Sequence, residues 1–196
     1  MGLQAVLLVT LIINAVVIWR GKETAATSWV LVLSASGLLI AAIAGAFWPL
    51  AGSLADGAAV ALVIILSAAV LGAATTGMLL GHWYLVTPAL TNRPLLRAIG
   101  LLLVGLVLQA IVFPLALGGL AHGAGSPTRA LGLSPVLSVL WALGAVILPL
   151  LAAGLALPTC RVRAFNPTTG LLYLAMIALF PGQFLGQVLF FVAASG

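Results

Sequence analysis

The sequence predicts an all-α integral membrane protein with six transmembrane helices, and three observations carry that prediction. Hydrophobic residues make up 64% of the chain and charged residues 5%. Apolar runs of roughly 20 residues recur along it, long enough to cross a bilayer core of about 30 Å. The basic residues cluster between alternate runs. A soluble domain carries about 25% charged residues, and two acids with seven bases cannot cover a water-facing surface. Continuous rather than alternating apolar runs select helices over barrel strands.

The first helix is expected at about 3–19. It lacks a basic leading segment and its charges, Arg20 and Lys22, follow the apolar run, so it reads as a retained helix and not a cleaved signal. The second is expected at about 28–50. The third, at about 58–87, is long enough to tilt or to emerge past the headgroups. The fourth follows at about 95–117 and the fifth at about 134–157. Asn166-Pro167-Thr168-Thr169-Gly170 reads as a start signal for the sixth, at about 171–193. Pro114, Pro149 and Pro181 are expected to interrupt the last three helices. Gly118–Ser134 reads as a Gly-rich external loop, and residues 1–196 as a single transmembrane domain.

Orientation follows from the loops. Arg20 with Lys22, Arg93 with Arg97 and Arg161 with Arg163 occupy alternate loops, while the remaining two loops hold only Arg129. Basic loops stay cytoplasmic, which places both termini outside the inner membrane of a prokaryote. Trp19, Trp48 and Trp83 lie near predicted helix ends, where interfacial Trp is favoured. The net charge of +5 is therefore topological and gives no reason to expect nucleic acid.

The chain also suggests two inverted three-helix halves. Leu7–Val17 aligns without a gap on Leu102–Val112 and sets Asn14 opposite Gln109. In the third and sixth helices a polar residue follows a GxxxG pattern: His82 after Gly77 and Gly81, Gln187 after Gly182 and Gly186.

Several function classes lose their residues. Glu23 and Asp56, the only acids, fall in expected loops, so ion coupling through a buried carboxylate has no group to use. A single Cys160 excludes an intramolecular disulfide, and it makes a protein-only metal cluster implausible. No phosphate loop, nucleophile elbow or paired carboxylate is present.

What remains are intramembrane polar side chains, each of which needs a partner. Thr75 and His82 share a helical face, and His82 is expected to face inward, toward Asn14. Gln109 and Gln187 form the expected outer pair, with Gln183 nearer the middle. His82-Trp83-Tyr84 could hold a quinone or lipid head group, or a single haem. A di-haem cytochrome b is excluded, because the only other histidine, His122, lies in the external loop.

The resulting expectation is a non-catalytic membrane subunit of a larger assembly, such as an electron-transfer or respiratory complex. Its partners would be membrane lipid and other membrane subunits or further copies of itself. The alternative is a small uncoupled permease or facilitator built from the inverted halves.

Overall fold

The computed structural model describes residues 2–21, 30, 32–38, 40–42, 53–87, 89, 91–120, 131–132 and 134–195. The chain forms two compact units, Met1–Leu50 and Ala51–Gly196. In the first, α1 spans Gly2–Trp19. It ends where Gly21 takes a left-handed φ of 61°, a conformation that costs glycine nothing. Thr10 answers the problem of a hydroxyl in an apolar helix by donating to Val6 O at 2.8 Å. A shorter apolar helix, α2, covers Val32–Ala42. The ends expected for the second helix, with Glu23 and Trp48, lie outside the described residues.

The second unit contains α3 (Leu54–Val86), α4 (Arg93–Leu120), α5 (Pro135–Arg161) and α6 (Phe165–Ser195). These four are the helices, among the described residues, that are long and apolar enough to cross a membrane. At 33 residues α3 is about 50 Å long, well over the hydrocarbon thickness. The helices pack in a ring, α3 on α4, α4 on α5, α5 on α6 and α6 on α3. Val70, Ala74, Leu102, Leu106, Ala153 and Leu172 lie in its core. Large apolar side chains also cover the outside, including Leu101, Ile111, Leu151, Ile177 and Phe180. That surface would be untenable in water and is what lipid requires.

Burial along α3 runs through Val60, Val63, Ser67, Val70, Ala74, Gly77, Gly81 and Tyr84. Alternating steps of three and four residues are the spacing of a helix-packing seam. Two glycines in that seam let α6 approach: a Cβ on Gly81 would stand 2.8 Å from Thr169 Oγ1.

Several boundaries differ from expectation. Helix α3 begins at Leu54, so Asp56 lies in its first turn and not in a loop. Ser53 caps the helix, accepting from Asp56 N at 3.2 Å and donating to Asp56 Oδ2 at 2.6 Å. Helix α6 starts at Phe165, ahead of the expected 171, because Pro167 falls in the first turn, where a missing N–H costs nothing. Helix α5 runs past 157 through Pro158 to Arg161.

The prolines differ among themselves too. Helices α4 and α6 continue through Pro114 and Pro181 without a break. Only α5 yields: Ala142–Ile147 widens into a π-helical turn, with Leu148 N–H donating to Leu143 O. Pro149 follows directly, and a wider turn relieves the clash of its ring with the preceding carbonyl.

Candidate functional site

Three polar side chains meet inside the ring. Gln109 of α4 is fully buried, and Ser67 of α3 and Gln183 of α6 are nearly so. Gln109 Nε2 donates to Gln183 Oε1 at 2.7 Å and to Ser67 Oγ at 3.1 Å. Gln183 Nε2 returns a bond to Gln109 Oε1 at 2.9 Å. A reciprocal amide pair of this kind joins helices, since each group's alternative in hydrocarbon is to lack a partner.

Beside this cluster α5 and α6 touch backbone to backbone. A Cβ on Gly182 would collide with Ala145 N and Gly144 C, so the π-turn and the glycine after Pro181 fit only each other. Farther along, Phe113 stacks on Trp141 with ring centroids 3.9 Å apart and meets Phe190 edge-on at 5.0 Å. Trp141 is buried, and its Nε1 has no hydrogen-bond partner among the described residues.

Alternation of helix direction brings the ends of α3 and α5 to the starts of α4 and α6. Arg93, Arg97, Arg161 and Arg163 therefore collect at one end of the unit. There Tyr84 is buried, stacks on Phe165 at 5.0 Å and donates its hydroxyl to Thr91 O. Asn92 Nδ2 ties the α3–α4 connection to Cys160 O at 3.0 Å. The α5–α6 turn closes with Arg163 N–H on Cys160 O and Ala164 N–H on Thr159 O. This paired pattern normally places glycine at the left-handed position; here Arg163 occupies it with φ 59°. A pocket of about 430 Å³ opens beside this turn, lined by Tyr84, Leu85, Arg163, Phe165, Asn166 and Pro167.

The residues singled out from sequence separate into two groups. Gln109 and Gln183 come together, and Tyr84 borders the pocket. The expected partner of Gln109 was Gln187, which is exposed instead. Gln183, four residues earlier on α6, takes the bond. His82, expected to face inward, is exposed, and Trp83 is 64% exposed. The seam passes through Gly81 and Tyr84, which turns the two residues between them outward. Thr75 does not join His82: its hydroxyl donates to Leu71 O at 2.8 Å and touches Met176 Sδ at 3.8 Å. Asn14 lies on α1, with its side chain outside those described.

Sequence reasoning missed Ser67, Phe165 and Arg163 as parts of these clusters. Ser67 had a signal, since it lies on the Gly77–Gly81 seam three turns back. Arg163 had none, because a left-handed arginine looks like any other loop base. No protein-family model matches the chain, and no curated protein or solved structure does either.

Proposed function

We propose that this chain is a non-catalytic integral membrane subunit of a larger assembly. The observation that carries the reading is the Ser67–Gln109–Gln183 cluster, whose polar groups bond one another and hold α3, α4 and α6 together. Polar groups engaged in this way serve packing, and leave recognition to the outer surface. That surface carries a groove of about 370 Å³ between α3 and α4, whose floor of small residues, Gly72, Ala73 and Gly105 among them, is walled by Leu101, Val104 and Leu108. Small residues of this sort are what close helix contacts in membranes use. Within this reading all six apolar segments cross the membrane, the arginine-rich end is cytoplasmic and both termini are outside. An electron-transfer assembly, with a quinone beside Tyr84, is the narrower form of the proposal.

Purification from the native membrane in mild detergent tests it. Stoichiometric partner proteins are expected, and a visible absorption spectrum decides the electron-transfer form. A lone colourless monomer overturns the reading.

The π-turn at Ala142–Ile147 of α5 favours one alternative, a facilitator that flexes at this wider turn during passage. Two inverted three-helix halves would give it the usual permease symmetry. Solute flux through proteoliposomes containing this chain alone would favour the facilitator over the subunit.

A further inference from the structure

The groove between α3 and α4 changes from apolar to polar along its length. Leu101, Val104 and Leu108 form its α4 wall, and one turn before Leu101 the same helical face carries Arg97. The Arg97 side chain is exposed and makes no hydrogen bond or ion pair with a described residue. Side chains lean toward the N-terminus of their helix, so this guanidinium extends from the apolar wall toward the headgroups. Across the groove Thr76 lies at nearly the same depth, because its neighbour Gly77 faces Ala98. The Thr76 hydroxyl, unlike that of Thr75, has no hydrogen-bond partner among the described residues. Every other residue of the lining is apolar.

Length, width and charge select the occupant. From Arg97 to Leu108 the helix rises about 16 Å, close to one leaflet's share of a hydrocarbon core about 30 Å thick. A volume of about 370 Å³ suits a single chain-like ligand. A helix, about 10 Å across, can only rest on the rim. Asp56, the acid among the described residues, is at the far end of α3, so the field at the Arg97 end is positive. We propose that this groove holds one acyl chain of an acidic phospholipid, from the leaflet at the arginine-rich end. Arg97 meets the phosphate, and Thr76 donates to an ester carbonyl just below it. A neighbouring helix resting on the rim encloses this lipid, so the inference stands whether the chain is a subunit or a facilitator.

The full chain, in micelles holding equal amounts of phosphatidylglycerol and phosphatidylcholine, is examined by native mass spectrometry. Phosphatidylglycerol should be retained about fivefold over phosphatidylcholine, the worth of one arginine beside an anionic lipid. Two variants separate head from tail. Arg97→Gln should bring the two lipids within about twofold of each other. Gly72→Leu fills the groove, since a Cβ there meets nothing within 4 Å. It should cut retention of both lipids roughly tenfold, what losing about two buried methylenes costs. Thr76→Val, nearly the same shape, should weaken both about threefold, one hydrogen bond's worth. Matched controls lie on α5: Arg161→Gln removes a charge from the same end, and Gly154→Leu adds the same side chain on open surface. Both controls should behave as wild type. Arg97→Gln, at an exposed position, decides the matter should Gly72→Leu not fold. Equal retention of the two lipids by the wild type, or equal effects of Gly72→Leu and Gly154→Leu, overturns the proposal. So does a lipid-free dimer, which would put a second copy of the chain on the groove.

Discussion

The side-chain amides of Gln109 and Gln183 face each other between α4 and α6 and exchange two hydrogen bonds, of 2.7 and 2.9 Å. The exchange makes each residue the other's partner for both donor and acceptor. Removing one strands the other. Gln109→Leu should cost about 1–3 kcal/mol, the penalty for leaving a buried amide unsatisfied. The double variant Gln109→Leu, Gln183→Leu should cost less than the sum of the singles. A coupling of order 1 kcal/mol is expected in a double-mutant cycle measured by unfolding in mixed micelles. Additive losses would show that the pair is not a unit.

The contact of Gly182 with Gly144 and Ala145 is made by backbone on both sides, so no side chain can rotate aside for an added Cβ. Gly182→Ala should destabilise the fold by about 1–3 kcal/mol through overpacking. Gly154 provides the control, because a Cβ there meets nothing within 4 Å. Gly154→Ala should be neutral or stabilising by up to about 1 kcal/mol, since alanine is the better helix former. Equal effects of the two substitutions would contradict the packing.

How much was legible in sequence depends on which face of a helix is asked about. Lengths and apolar runs gave α3, α4 and α5 to within a few residues, because spanning a bilayer needs about 20 apolar residues whatever their order. The inward face was harder. In water the core stripe is apolar and the outside polar, but lipid makes both apolar, so periodicity is silent on α3 and α6. Small and polar residues mark the seam instead, and Gly77, Gly81 and Gln183 did so correctly. His82 misled because polarity was read as inwardness. Near a helix end a polar side chain also satisfies itself at the interface. The neighbouring Gly81 was the better guide. The pairing of Gln109 went to Gln183 and not Gln187 because one turn of α6 decides depth, and sequence places depth no better than a turn.

Orientation is open to direct test. Pro94 and Ser53 are exposed at opposite ends of the four-helix unit. In a single-cysteine series, Ser53→Cys should react with a membrane-impermeant thiol reagent on intact cells. Pro94→Cys should react only after permeabilisation. Cys160 is buried and should contribute little background. The reverse labelling pattern would invert the proposed topology.

The last prediction concerns three consecutive residues whose roles the fold divides. His82 and Trp83 are exposed, whereas Tyr84 is 3% exposed, stacked on Phe165 and hydrogen-bonded to Thr91 O. The division follows from the α3 seam, which continues from Gly81 to Tyr84 and leaves 82 and 83 on the outer side. His82→Leu should therefore change stability by no more than about 0.5 kcal/mol, as expected for an exposed side chain. Tyr84→Phe keeps the ring on Phe165 and removes one hydrogen bond, at a cost of about 1 kcal/mol. Tyr84→Ala empties the space between α3 and the start of α6 and should cost about 3–5 kcal/mol, the range for deleting a buried aromatic ring. The order of the three, measured by chemical unfolding of the purified chain, is the readout. If His82→Leu proved as damaging as Tyr84→Ala, the imidazole would have to face protein, and the seam along α3 would be misplaced by one residue.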